Sequence, residues 1–241
     1  MSAFSDSLHT TFALIVTGDG HLWSIVGRSL TVSALACACS LVLGVALGAW
    51  LAVLRFWGRD AVLMLLGTLL ALPSVVVGLV VYLLLSRSGP LGHLGWLFSF
   101  KAMVLAQAVL VLPVVTALTR QVVEDAERAY GEQLASLGAG TWTRSVLLTW
   151  DARHALMVVA VTAFGRAVSE VGAVMIVGGN IEGYTRVMTT AIALETSKGD
   201  LPMALGLGLV LLGVVLLLHA LVGLLRRFAT PGGAPQTVLA A

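Results

Sequence analysis

Five apolar runs in this sequence are each long enough to cross the hydrocarbon core of a bilayer as a helix, which takes about 17–25 residues. They cover residues 29–54, 61–85, 102–118, 155–178 and 202–225. With 59% hydrophobic and 11% charged residues, the chain is too apolar for a soluble globular domain. The sequence therefore predicts an all-α integral membrane protein with about five transmembrane helices.

The segments around these runs divide the chain. Residues 1–27 have mixed character and are predicted to form an extracytoplasmic surface segment, and residues 28–227 form one transmembrane domain. The end of the chain, residues 228–241, is rich in Pro and Gly and is predicted to be disordered. Within the first run, Gly44 and Gly48 would let another helix approach closely. Pro73 predicts a bend in the second run.

The positions of basic residues predict the orientation. If the runs alternate across the bilayer, the arginines at 55, 59, 120, 128, 144, 153, 226 and 227 fall on one side. The other side has only Arg28, Arg87, Lys101, Arg186 and Lys198. Short cytoplasmic loops are enriched in Lys and Arg, so the amino terminus is predicted outside and the carboxyl terminus in the cytoplasm.

A polar stretch, residues 120–153, interrupts the apolar sequence and is predicted to lie in the cytoplasm. Its acids at 124, 125 and 127 suit the first turn of a helix, and Gly138 suits the left-handed position after a helix end. Thr141 is a candidate N-cap for a second helix. The stretch is interpreted as two short helices folded across a glycine, which we call the knob. An ordinary solvated loop is the alternative.

The fourth run contains two charged residues, Arg166 and Glu170. Four residues apart on a helix, they share a face and can form an ion pair. Charges within the hydrocarbon region are unfavourable, so such a pair should face the bundle interior or a water-filled path. Two roles fit: a gate in a translocation path, or a contact that only locks helices together.

A second polar segment, residues 179–200, is predicted to contain a short re-entrant helix over 188–194. Thr189 and Thr190 lie in the first turn of that helix. Their hydroxyls are uncharged donors that suit the lining of an oxyanion path. Capping of the helix is the alternative.

No catalytic or metal-binding motif is present in the sequence. It has no phosphate-binding loop, no zinc-protease pattern and no clustered histidines, so an enzyme is not indicated, and neither a catalytic nor a metal site is expected. Any role driven by ATP therefore requires a separate subunit. The net charge of +2, without a basic cluster, does not indicate nucleic-acid binding.

Residues 132–138, Glu-Gln-Leu-Ala-Ser-Leu-Gly, resemble the EAA loop of the permease subunits of ABC importers. Glu132 and Gly138 match that loop, whereas Gln133 and Leu134 replace its two alanines. In that family the loop docks on the ATP-hydrolysing subunit. The resemblance implies that Glu132, Leu134, Ala135 and Gly138 couple the chain to an ATPase.

Residues 72–92 and 169–180 are similar to molybdate and tungstate permeases, and residues 189–200 to the tungstate branch. The resemblance implies a type I ABC importer permease fold in a bacterial plasma membrane. Two copies would pair, with cytoplasmic ATPase subunits that hold ATP and magnesium, and with an extracytoplasmic oxyanion-binding protein. The resemblance makes tungstate the expected substrate and molybdate the alternative. Candidate path or gate residues are Arg166, Glu170, Thr189 and Thr190.

Two other classes of protein remain as alternatives. A secondary transporter driven by an ion gradient would have intramembrane acids and an internal repeat. The sequence has one such acid, Glu170, and no obvious repeat. A membrane scaffold that recruits a cytosolic protein through the knob would tolerate apolar residues in place of Arg166 and Glu170.

Overall fold

The computed structural model describes residues 16–229, and side chains as far as residue 224. Within these residues the fold is all-helical, without a strand. The helices are α1 (Gly20–Val53), α2 (Arg59–Leu70), α3 (Ser74–Leu85), α4 (Phe100–Ser136), α5 (Thr141–Asp151), α6 (Arg153–Val168), α7 (Gly172–Gly178), α8 (Met188–Lys198) and α9 (Leu201–Ala229). A single 3₁₀ turn, Gly92–Leu94, lies between α3 and α4.

Three of these helices, α1, α4 and α9, are long and apolar enough to cross a membrane. Two bent pairs also qualify by length and composition: α2 with α3, at 99°, and α5 with α6, at 74°. The described part of the chain therefore has three candidate spans, or up to five if each bent pair is one span. The predicted number of five lies at the upper end of this range.

The first helix begins earlier than predicted. Asp19 caps α1 by accepting a hydrogen bond from the Leu22 backbone N–H at 2.8 Å, so the helix starts at Gly20 rather than at 29. Leu22, Ile25 and Val26 are buried. Residues 20–27 are therefore the first turns of α1 rather than a segment separate from it, and their extracytoplasmic location stays a prediction. The prediction for residues 1–15 lies outside the described residues.

The bend predicted at Pro73 is confirmed. Helix α2 ends at Leu70, and Pro73 is the extended residue that precedes α3. Because proline has no N–H and disfavours a helical residue before it, the second run becomes two helices of 12 residues each.

Helix α4 extends well beyond the predicted third span, residues 102–118. It continues unbroken through Pro113 to Ser136, 37 residues in all, or about 55 Å. The acids of the polar stretch therefore lie in mid-helix and not in a first turn. Glu124 is stabilised there by ion pairs with Arg120 and Arg128 on its own helix, and with Arg59 of α2 at 3.5 Å.

The close helix contact predicted at Gly44 and Gly48 is confirmed. Both glycines of α1 are buried and face α4. A Cβ on Gly48 would lie 2.6 Å from the Thr116 carbonyl oxygen and 3.0 Å from the Arg120 nitrogen. These are backbone atoms, which cannot rotate away. Because glycine has no side chain, Gly44 and Gly48 allow α1 and α4 to approach this closely.

Gly48→Ala is expected to lower the free energy of unfolding by about 1–3 kcal/mol, because the added methyl group overpacks the α1–α4 contact. The matched control is Gly27→Ala on the same helix, where nothing lies within 4 Å of the added Cβ. Thermal unfolding of the purified chain in detergent measures both. Equal melting temperatures for the two variants would contradict the close contact.

The fourth run is also two helices, because α6 ends at Val168 and α7 begins at Gly172. We call residues 169–171 the break. Helix α8 includes the predicted short helix at 188–194 and extends it to Lys198. Helix α9 covers the fifth run and includes residues 228 and 229 of the predicted tail, whose remainder lies outside the described residues. The main buried cluster joins α3, α4 and α7.

Candidate functional site

The knob turns at Gly138, as predicted. Gly138 has φ +80°, in the left-handed region, and its N–H donates to the Ala135 carbonyl at 3.0 Å. The Ala139 N–H donates to the Leu134 carbonyl, also at 3.0 Å. These two bonds satisfy carbonyls at the end of α4 and fold α5 back across it. The predicted cap at Thr141 is wrong by one residue: Gly140 is the N-cap, and no side chain bonds there.

The predicted coupling residues occupy the end of α4 and the turn after it. Glu132, Ala135 and Gly138 are exposed, as a docking surface requires. Leu134 is half-buried and packs on the apolar cluster that joins α1, α4 and α5. Leu137 and Trp142 add exposed apolar surface beside them, at 77% and 75%.

An ion pair that the sequence analysis missed braces the knob. Glu127 of α4 and Arg144 of α5 approach to 3.2 Å, with side chains only 16% and 20% exposed. Beside them is a cleft of about 390 Å³, lined by Arg55, Glu124, Glu127, Arg128, Gly131, Glu132, Ala135 and Arg144. Two of the predicted coupling residues therefore share one cleft with the brace.

The predicted pair in the fourth run is present at the break. Arg166 Nη1 lies 2.9 Å from Glu170 Oε2. Glu170 is 4% exposed, and its other oxygen, Oε1, accepts a hydrogen bond from the Ala173 N–H at 3.2 Å. Glu170 thus caps the first turn of α7 in addition to pairing with Arg166.

Arg166 is the more accessible member of the pair, with 46% of its side chain exposed. It lines a cavity of about 600 Å³ between α6 and α9. Thr162, Ser169 and His219 contribute polar atoms to the same cavity. The pair therefore consists of a buried carboxylate and an arginine at the edge of this cavity.

Both predicted threonines are buried and hydrogen-bonded within the chain. The Thr189 hydroxyl donates to the Glu170 carbonyl at 2.7 Å, which ties α8 to the break. The Thr190 hydroxyl bonds the backbone N–H and carbonyl of Val187, at 3.2 and 3.1 Å. Of the two roles considered for Thr190, these bonds favour capping.

Helix α4 also reaches the break, through a residue to which the sequence analysis gave no role. Gln107 is buried, and its Nε2 donates to the Ala167 carbonyl at the end of α6, at 3.0 Å. Across the described residues, no group of three or more His, Cys, Asp or Glu side chains is placed to hold a metal ion.

The chain resembles known transport proteins over nearly its whole length. It is 39% identical to the tungstate uptake system permease protein TupB of Peptoclostridium acidaminophilum, over 92% of this chain and 97% of that protein. It is 40% identical to a probable anion ABC transporter permease protein of Haloferax volcanii, over the same shares of the two chains. The molybdenum transport system permease protein ModB of Escherichia coli is 34% identical, over 74% of this chain and 82% of its own.

A family model gives the same result. The model of the binding-protein-dependent transport system inner membrane component matches residues 44–231, which include the knob, the break and helices α2 to α9. The all-helical fold with several candidate spans agrees with a multi-pass membrane protein. This chain therefore belongs to the family of inner membrane components of binding-protein-dependent transport systems.

Proposed function

We propose that this chain is the membrane subunit of an ATP-driven importer that moves tungstate into the cytoplasm. The observation that carries the proposal is its 39% identity to a tungstate uptake permease over 97% of that protein's length. The named molybdenum permease is less similar and is matched over a smaller share of its chain. Molybdate is therefore the competing substrate.

The knob is the proposed docking surface for a cytoplasmic ATPase. Glu132, Ala135 and Gly138 are exposed at the turn, Leu134 supports them from beneath, and the Glu127–Arg144 pair fixes α5 against α4. ATP and magnesium would be held by the ATPase. The arginines of the knob support a cytoplasmic location for it, with the amino terminus outside.

The complete importer is proposed to contain two copies of this chain, two ATPase subunits and an extracytoplasmic binding protein for the oxyanion. ATP binding would draw the ATPases together and move the docked knobs. The movement would swing the spans from an inward-open to an outward-open state. Arg166 and Glu170 are the proposed gate. Thr189 holds the break beside them, and Thr190 supports α8 as its cap.

Copurification tests the ATP-driven proposal against a secondary transporter. The chain is expressed together with its candidate ATPase, extracted in mild detergent and purified through a tag on this chain alone. We expect the ATPase to be retained. An ATPase that never copurifies, together with uptake that follows an ion gradient, would favour the secondary transporter.

A further inference from the structure

Gln107 lies in the apolar part of α4, where a buried polar side chain is unfavourable unless it has a structural or functional role. It is 4% exposed, and Nε2 makes one hydrogen bond, to the Ala167 carbonyl at 3.0 Å. Its other amide atom, Oε1, is buried without a hydrogen-bond partner among the described residues. One of the two polar atoms of the amide therefore makes no hydrogen bond to the described residues in this arrangement of the helices.

Local stability does not account for this side chain. The Ala167 carbonyl already accepts a hydrogen bond from the Glu170 backbone N–H at 3.2 Å. Loss of the Gln107 amide would leave that carbonyl satisfied and would remove a buried acceptor that has no donor. Because no polar group would then be left without a partner, replacement by an apolar side chain of the same shape forfeits only the modest net contribution of one hydrogen bond.

Helix α4 contacts the two helices on either side of the break, α6 and α7. On the α6 side, Gln107 bonds Ala167. On the α7 side, Met103 packs so closely on Gly178 that a Cβ there would lie 3.0 Å from Met103 Cγ. Just before α4 begins, the Phe98 N–H donates to the Val177 carbonyl at 3.0 Å. A displacement of α4 therefore acts on the end of α6 and on α7 together.

The same helix carries the knob at its other end. Ser136 lies 29 residues beyond Gln107 on this helix, a rise of about 43 Å. The far end is fixed to α5 by Glu127 and Arg144, and to α2 by Glu124 and Arg59. One continuous element thus joins the proposed docking surface to the break that contains Arg166 and Glu170.

We propose that Gln107 is the positioning residue through which α4 controls the break between α6 and α7. Movement of the knob displaces α4, and the Gln107–Ala167 hydrogen bond passes that displacement to the Arg166–Glu170 pair. The unused Oε1 gives the amide a free acceptor for a backbone N–H when the two helices separate. This inference rests on the proposed function, because it requires an ATPase that moves the knob.

Gln107→Met tests the inference, because methionine keeps the length of glutamine and removes both amide atoms. The variant is studied in the full complex of permease, ATPase and binding protein, in vesicles. Three quantities are measured: ATP hydrolysis, tungstate uptake, and the rate at which a water-soluble thiol reagent labels Ser169→Cys at the exposed edge of the break. Cys37 and Cys39 are replaced by alanine throughout, so that the introduced thiol is the only one in this chain, and labelling is read on this chain alone.

The matched control is Thr116→Val. Thr116 is also 4% exposed and lies on α4, but its hydroxyl bonds only the Leu112 carbonyl of the same helix. For Gln107→Met we expect a normal amount of assembled complex, ATP hydrolysis near the parental rate, and uptake reduced about tenfold, within the range typical of coupling between sites. We also expect Ser169→Cys labelling to stop responding to ATP. The control should behave like the parent.

Uptake and an ATP-dependent labelling response equal to the parent's in Gln107→Met would overturn the inference. A variant that fails to assemble would also overturn it, because that result would make the residue structural. A parental complex with no ATP-dependent uptake would instead contradict the proposed function, and this inference with it.

Discussion

Gly138→Val is expected to abolish uptake while the chain still inserts in the membrane. At φ +80° a β-branched residue is strained, by about 1–3 kcal/mol. Space is not the obstacle, because nothing lies within 4 Å of a Cβ at this position. The strain is relieved when the turn opens, which breaks the two hydrogen bonds that fold α5 across the end of α4. ATP-dependent uptake is measured in vesicles and normalised to the amount of chain in the membrane.

Two variants separate backbone strain from the mere presence of a side chain. Asparagine tolerates the left-handed region better than other residues with a Cβ, so Gly138→Asn should retain most of the uptake. Gly140→Ala adds a methyl group at φ −68°, also with nothing within 4 Å, and should be neutral. Normal uptake in Gly138→Val would contradict the docking role of the knob.

Arg166→Met is expected to lose uptake and to destabilise the chain. It removes the charged partner of Glu170, which is 4% exposed. Breaking a fully buried ion pair typically lowers stability by about 3–5 kcal/mol, because the remaining charge is left unpaired. The loss here should be smaller, because Arg166 is 46% exposed and solvent screens the pair in part. The expected result is a clear fall in melting temperature in detergent, together with loss of ATP-dependent uptake in vesicles.

A double variant separates the gate from a simple helix lock. Arg166→Met combined with Glu170→Gln removes both charges but keeps an oxygen that can accept the Ala173 N–H. We expect the double variant to recover the melting temperature without recovering uptake. Normal uptake in the double variant would mean that the pair only locks helices together, which is the second of the two roles considered for it.

Hydrophobicity predicted the membrane-spanning character of the chain but not where its helices end. The apolar run at 102–118 ends where the charged residues begin, yet α4 continues to Ser136 because Arg59, Arg120 and Arg128 neutralise Glu124. One of these arginines is 65 residues away in the sequence. Pattern analysis within a window does not include such partners. Pro73 and Gly138 were predicted correctly because their effect on the backbone is local.

The distinction between local effects and contacts distant in sequence also applies to the candidate sites. Arg166 and Glu170 are four residues apart, so their ion pair follows from helix geometry alone. The hydrogen bonds that hold the break come from Gln107 and Thr189, 60 and 19 residues from their acceptors. The brace between Glu127 and Arg144 requires the turn at Gly138 to bring two helices together. These contacts depend on how the helices pack, which the hydrophobic pattern does not specify.

Uptake of labelled tungstate tests the central claim most directly. The assay uses vesicles that contain this chain, its candidate ATPase and its binding protein, with and without ATP and with excess molybdate, sulfate or phosphate. The account predicts ATP-dependent tungstate uptake that molybdate does not reduce. Equal competition by molybdate would contradict the assignment of tungstate, and uptake that does not depend on ATP would contradict the importer itself.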